Sequence, residues 1–106
     1  MIGGLEQIVL LATLHLSDQA YAVTIRRELQ ARTGRSVSRG ALYTVLERLE
    51  TKGYLSSRMG DPTPERGGRP KRYYRVTPSG VAALKGSKRA LLELWRGLES
   101  VLGRLS

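Results

Sequence analysis

The chain of 106 residues contains no cysteine and only one histidine, His15, which lies in an apolar segment. Without cysteine it can form no disulfide, no thiolate metal site and no cysteine nucleophile. One histidine cannot build a metal site by itself, and the sequence has no glycine-rich phosphate-binding loop of the nucleotide-binding type. We therefore expect a protein with no metal, no cofactor and no enzymatic activity.

A membrane segment is also missing. No apolar run reaches the roughly 20 residues that a membrane-spanning helix needs. The first six residues, MIGGLE, lack the basic region and the cleavage site of a signal peptide. We expect a soluble protein inside the cell, with no membrane partner.

Acidic residues are scarce relative to basic ones. Eighteen Lys and Arg face nine Asp and Glu, which gives a net charge of +9 and a pI near 10.7. A field of this sign attracts DNA, RNA or an anionic membrane face. Composition does not choose among these partners, so the position of the charges along the chain has to decide.

The spacing of apolar residues predicts three short helices, over residues 5–16, 21–33 and 39–52. Ser38 is a favourable N-cap for the third helix, and Gly53 stands where a helix commonly ends. Residues 54–59 and 71–76 have an extended pattern and are separated by a segment rich in Gly and Pro, which predicts a β-hairpin. A last helix then starts at Thr77 and Pro78 and runs to about residue 104.

Three helices followed by a hairpin are the order of a winged helix-turn-helix, an α+β fold that is mainly α. We assign residues 1–77 to this DNA-binding domain and residues 78–106 to a C-terminal dimerisation helix.

The third helix of this fold enters the major groove of DNA. If its leucines and Val45 are buried, the opposite face carries Arg39, Gly40, Tyr43, Thr44, Glu47 and Arg48. Arg39 can reach base edges, and guanine offers it two acceptors. Gly40 removes bulk where the backbone approaches DNA, and the hydroxyls of Tyr43 and Thr44 can contact phosphates or bases. The alternative is a polar face that is simply solvated.

The hairpin, or wing, carries a dense run of positive charge. Ten residues without an acid contain Arg66, Arg69, Lys71, Arg72 and Arg75. An extended Arg beside Pro70 suits the negative potential of a narrow minor groove. Phosphate contacts here would supply affinity and salt dependence rather than sequence preference. The alternative is a disordered basic loop.

Three segments together resemble regulators of the PadR type: residues 21–29 (YAVTIRREL), 37–55 (VSRGALYTVLERLETKGYL) and 67–80 (GGRPKRYYRVTPSG). The resemblance covers nearly the whole chain. It implies a dimeric bacterial or archaeal repressor in the cytoplasm, bound to a pseudo-palindromic operator in double-stranded DNA. Positions that the family uses on DNA are matched by Tyr21, Ser38, Tyr43 and the Gly-Arg-Pro-Lys wing.

Two departures from the family pattern stand out. Many members have Gly where Ala20 stands, and many have Pro where this chain has Thr44. The threonine adds a hydroxyl on the side that faces DNA, so the target sequence cannot be taken from relatives.

The predicted C-terminal helix carries a seam of apolar residues. From Leu91 onward the apolar residues are spaced by 4, 3, 4 and 3 positions, a heptad pattern that indicates helix pairing. The resemblance to the PadR type also implies that this helix forms the dimer. The expected interface residues are Leu84, Leu91, Trp95, Leu98, Leu102 and Leu105.

Trp95 has two possible roles. It is either ordinary dimer core or the platform on which a small aromatic inducer stacks, as the resemblance to some family members implies. Glu93, Glu99 and Ser100 lie nearby and could complement a cationic aromatic ligand.

Other functions stay open from the sequence alone. The chief alternative is a non-specific winged-helix protein that binds DNA as an architectural element or binds RNA. Readers of single-stranded RNA display aromatics for stacking, whereas Tyr73 and Tyr74 are adjacent, so only one of them can face outward. A winged helix used only for protein interaction would not need the basic wing.

Overall fold

The computed structural model describes residues 2–61 and 70–105, and it confirms the predicted order of three helices, a hairpin and a helical C-terminal segment. A short 3-10 turn, Ser17–Gln19, separates the first two helices. Within the described residues no helix is long and apolar enough to span a membrane. The elements are α1 (Gly4–Leu16), α2 (Ala22–Thr33), α3 (Arg39–Thr51), β1 (Leu55–Met59), β2 (Arg72–Val76), α4 (Pro78–Trp95) and α5 (Glu99–Leu105).

The predicted helix signals are confirmed at both caps. The Ser38 hydroxyl oxygen accepts a hydrogen bond from the backbone N–H of Ala41 at 3.1 Å, which caps α3. The Thr77 hydroxyl oxygen does the same for the N–H of Gly80 at 3.1 Å, and Pro78 follows it as the first helical residue.

The core lies where α1, α2 and α3 meet one face of the hairpin. The strands are antiparallel, with Leu55 opposite Val76 and Ser57 opposite Tyr74. Tyr74 points into the core, and burial raises the pKa of its phenol. The fully buried side chains include Val9, Leu10, Ile25, Leu42, Leu46 and Leu49.

Two backbone contacts attach the hairpin to the helices. The N–H of Tyr74 donates to the carbonyl of Ala20 at 2.8 Å, so the free edge of β2 is tied to the segment before α2. At the other end, a Cβ on Gly80 would lie 2.4 Å from the carbonyl oxygen of Tyr54. Only glycine lets the start of α4 approach the base of the hairpin so closely.

The prediction of one continuous helix from Pro78 to about residue 104 is wrong. Helix α4 ends at Trp95, and α5 begins only at Glu99. Gly97 has a φ of +79°, a left-handed conformation that glycine adopts without strain, and the N–H of Leu98 donates to the carbonyl of Trp95 at 2.9 Å to close the turn. The heptad seam is therefore interrupted after Trp95.

An ion pair joins the first helix to the end of the third. The Glu6 carboxylate is buried and accepts hydrogen bonds from the Lys52 ammonium at 2.9 and 3.1 Å and from the N–H of Gly3 at 3.1 Å. The hydrogen bond from Lys52 is the main cause that holds the pKa of Glu6 below its ordinary value. The pair thus fixes the start of α1 against the C-terminal end of α3.

We predict that Glu6→Gln lowers the free energy of unfolding by about 1.5–3 kcal/mol at pH 7, the typical contribution of a hydrogen bond to a charged group. Because folding lowers the pKa of Glu6, its contribution is complete above the ordinary value of 4.5 and is lost as the pH falls through the lowered value. Urea unfolding at pH 7 and pH 3, at one fixed protein concentration, measures both effects.

The matched control is Glu28→Gln, which breaks the exposed ion pair of Glu28 with Arg32 on the surface of α2. We expect it to change the free energy of unfolding by less than about 0.5 kcal/mol. Equal losses for the two variants, or a loss for Glu6→Gln that is the same at pH 3, would contradict the role given to the Glu6–Lys52 pair.

Candidate nucleic-acid interface

Helix α3 presents the polar face that its periodicity predicts. Leu42, Val45, Leu46 and Leu49 are buried, and the residues on the opposite side are all exposed. These exposed residues are Arg39, Gly40, Tyr43, Thr44, Glu47 and Arg48.

Two contacts shape the N-terminal half of this face. The guanidinium of Arg39 lies over the ring of Tyr43, 5.8 Å from its centroid, which restricts the long side chain to one side of the helix. The hydroxyl of Thr44 donates to the carbonyl of Gly40 at 3.0 Å, so its proton is used within the helix and its oxygen remains able to accept. The N-terminal half of this face therefore offers one guanidinium and two oxygens to a ligand.

A shallow groove joins this face to the wing. It runs between the start of α2, the exposed side of α3 and the base of the hairpin, so that a ligand held in it would touch all three elements. Its lining includes Tyr21, Val23, Tyr43, Met59, Lys71 and Arg72.

The wing residues differ in how they are held. Arg72 donates to the hydroxyl of Ser57 at 3.0 Å, and Ser57 donates to the carboxylate of Glu50 at 2.9 Å, so Arg72 is tied toward α3. Lys71 is half-buried, with its ammonium 4.0 Å from the centroid of the Tyr21 ring. The predicted contacts Arg66 and Arg69 lie outside the described residues.

The predicted contacts Tyr21 and Ser38 both have structural roles in the protomer. Tyr21 is only 8% exposed and packs edge-on against Tyr73, with ring centroids 5.5 Å apart. Ser38 caps α3 through its oxygen and keeps its hydroxyl proton for another partner. Both residues therefore support the exposed face of α3, and their contact with DNA stays a prediction.

Sequence reasoning missed Arg58 and Met59 on β1. Arg58 lies over the ring of Tyr73 at 5.0 Å, and Met59 is 52% exposed in the groove. The signal was the antiparallel register: pairing Leu55 with Val76 sets Arg58 opposite Tyr73. The run of basic residues in the hairpin gave no indication that side chains of β1 also lie at this surface.

The basic residues of this surface take part in none of the ion pairs found among the described residues. Among residues 2–61 and 70–105, the ion pairs are Glu6–Lys52, Glu28–Arg32 and Glu93–Arg96. None of them involves Arg39, Arg48, Lys71 or Arg72. The surface therefore attracts a polyanion. In the same part of the chain no three His, Asp or Glu side chains come together to hold a metal ion.

A second surface lies between α1 and α4 and is almost wholly apolar. Its exposed members are Leu11, Leu14, Leu91, Leu92 and Trp95. We call it the α1–α4 groove.

The other predicted interface residues lie elsewhere. Leu84 is 8% exposed and belongs to the core of the protomer, with only an edge in the groove. Leu98 and Leu102 are half-exposed beyond the break in the helix. Leu105 is the last residue of α5, and its side chain lies outside the described part.

Comparison with known proteins agrees with this geometry. The model of the transcriptional regulator PadR-like family matches residues 10–86. The chain is 44% identical over 85 residues to "Transcriptional regulator Rv3488" of Mycobacterium tuberculosis, covering 77% of this chain and 73% of that protein.

Solved structures share the fold. A PadR-like transcription factor from Bacteroides fragilis matches with a TM-score of 0.66 and 26% identity over 96% of this chain and 89% of its own. A PadR family regulator from Clostridium difficile R20291 matches with a TM-score of 0.69 and 24% identity over 96% of this chain and 98% of its own.

We predict that Arg39→Ala weakens binding to a preferred duplex by about 10- to 100-fold and relaxes the preference at the base pair it contacts, since a bidentate contact carries that much discrimination. Fluorescence anisotropy with the preferred duplex and its single-base variants measures both. Arg89→Ala removes the same charge from an exposed site on α4 and is the matched control. Identical binding curves for the two variants would contradict the assignment.

Proposed function

The chain belongs to the PadR-like family of transcriptional regulators and is a DNA-binding regulator rather than an enzyme; on this basis we propose that it acts as a dimeric repressor at a pseudo-palindromic operator. The proposal rests on the observation that one protomer has two separate exposed surfaces. One is an exposed, basic α3 face, and the other is the exposed apolar α1–α4 groove.

The basic surface suits double-stranded DNA. The major groove admits one α-helix, and the first turn of α3 is free of acids and carries Arg39. Lys71 lies beside the start of α2, where a phosphate of the backbone would neutralise it. We assign base reading to α3, and phosphate contacts to the wing, including Arg66 and Arg69.

The α1–α4 groove suits a second copy of the chain. Soluble monomers rarely leave a large contiguous apolar patch in water, and here Leu92 is 58% and Trp95 47% exposed. A two-fold pairing through this groove gives two copies of α3 on one face of the dimer. Helix-turn-helix dimers read half-sites roughly 34–36 Å apart in this way. Repression follows from occlusion of the promoter.

Selection of binding sites from random duplex DNA at near-physiological salt tests the operator. Enrichment of an inverted repeat with half-sites about one helical turn apart supports the repressor. Tight, salt-labile binding to every sequence would instead favour the non-specific architectural or RNA-binding alternative.

We predict that Leu92→Asp converts the dimer to a monomer, because it places a charge in an apolar interface. Size-exclusion chromatography with light scattering measures the mass. Val23→Asp is the control, since Val23 is 43% exposed on α2 and does not line the α1–α4 groove. A dimer mass for Leu92→Asp would mean that the groove is not the interface.

A small aromatic inducer, if bound between the protomers, would meet a positively charged rim. Lys85 and Lys88 line the α1–α4 groove together with Trp95. Glu93 does not line it and is paired with Arg96 at 2.8 Å. We therefore propose an anionic aromatic ligand in place of the cationic one expected from the nearby acids. Its binding would change the spacing of the two α3 helices.

We predict that 2-naphthoate binds the dimer and that neutral 2-naphthamide binds at least 10-fold more weakly, since the amide lacks the charge that Lys85 and Lys88 complement. Isothermal titration calorimetry measures both affinities. Trp95→Leu should abolish binding, and operator DNA should weaken it by the same factor by which naphthoate weakens DNA binding. Equal affinity for the acid and the amide would refute the charge argument.

A further inference from the structure

Four side chains at the base of the wing form a row in which two adjacent aromatic rings lie between two cations. The ammonium of Lys71 lies 4.0 Å from the ring centroid of Tyr21. The Tyr21 ring meets the Tyr73 ring edge-on, at 5.5 Å and 72°, and the guanidinium of Arg58 lies 5.0 Å from the Tyr73 centroid. We call this row, Lys71–Tyr21–Tyr73–Arg58, the wing-root stack.

The backbone around the stack leaves the Tyr73 ring little freedom. A Cβ on Gly60 would lie 2.5 Å from Cε2 of Tyr73, so the ring rests against the bare backbone of that glycine. The N–H of Gly60 donates to the carbonyl of Lys71 at 2.7 Å, and the N–H of Tyr74 donates to that of Ala20 at 2.8 Å. The first bond fixes the end of β1 against the start of β2, and the second fixes β2 against the segment that carries Tyr21.

The stack restricts the conformations that the Lys71 side chain can adopt. A free lysine samples many rotamers, and ordering it on a phosphate costs conformational entropy. A cation over an aromatic face is already partly ordered, while the ammonium keeps its donors for an anion. Among the described residues no carboxylate pairs with Lys71.

We propose that Tyr73 is a positioning residue that acts through Tyr21 to hold the Lys71 ammonium where it binds a phosphate of the DNA backbone. Tyr73 itself touches no DNA in this scheme, and Arg58 holds its far face. Gly60 is required because any side chain there displaces the ring. The inference rests on the DNA binding of the proposed function and extends it to residues outside the exposed α3 face.

The test uses the full-length protein and duplex DNA at four salt concentrations. Tyr73→Leu removes the ring, and Tyr73→Phe keeps it and is the matched control. Gly60→Ala moves the ring without removing it. Lys71→Gln removes the cation, and the double variant of Tyr73→Leu with Lys71→Gln completes a double-mutant cycle. Thermal unfolding of each variant identifies losses that come from stability alone.

We expect Tyr73→Leu and Gly60→Ala to bind about fivefold more weakly than wild type and to lower the salt slope by about one, as loss of one phosphate contact does. Tyr73→Phe should match wild type. In the Lys71→Gln background, Tyr73→Leu should cause no further loss, because its effect passes through Lys71.

Two results would overturn the inference: an unchanged salt slope for both Tyr73→Leu and Gly60→Ala, or a full fivefold loss for Tyr73→Leu in the Lys71→Gln background. A purely structural tyrosine lowers the melting temperature and leaves the slope alone. If wild type itself showed no salt-dependent DNA binding, the proposed function would fail first, and the two failures are therefore distinguishable.

Discussion

Burial of one face of α3 is the constraint on which the rest of the molecule depends. Leu42, Leu46 and Leu49 are between 0% and 1% exposed and pack with α1 and α2. Each fully buried leucine contributes about 1.5–3 kcal/mol, so the helix cannot rotate without a large loss. Because the inner face is fixed, the outer face is fixed too, and Arg39 and Tyr43 must point into solvent. The site is thus a consequence of the core.

The wing depends on the same core through β2. Strand side chains alternate, so burial of Tyr74 between α1, α3 and the hairpin places Tyr73 on the opposite face. The hydrogen bond from Tyr74 to Ala20 then brings Tyr73 beside Tyr21, at the start of α2. One buried phenol therefore determines where the neighbouring ring lies, and the position of Lys71 follows from that ring.

Much of this architecture was predictable, since it rests on local signals. Each of these signals favours one local structure within a few residues: the 3.6-residue period favours a helix, Ser38 and Thr77 favour helix starts, and the Gly- and Pro-rich segment favours a loop. The break after Trp95 was not predicted, because the heptad spacing of the apolar residues continues across Gly97, and this spacing does not show that the glycine has a positive φ and interrupts the helix. The wing-root stack could not be predicted, because it needs the contact between Ala20 and Tyr74, which are distant in sequence.

Helix α1 connects the two surfaces of the protomer. On one side its Leu11 and Leu14 line the groove with α4, and on the other its Glu6 holds Lys52 at the end of α3. Loss of Lys52 would leave the buried Glu6 carboxylate without its ion-pair partner, which is costly. In the proposed dimer, this link would carry a change in the α1–α4 groove to α3. The spacing between the two copies of α3 in that proposed dimer would be set by how the grooves pack, and the proposed ligand beside Trp95 would alter it without touching DNA.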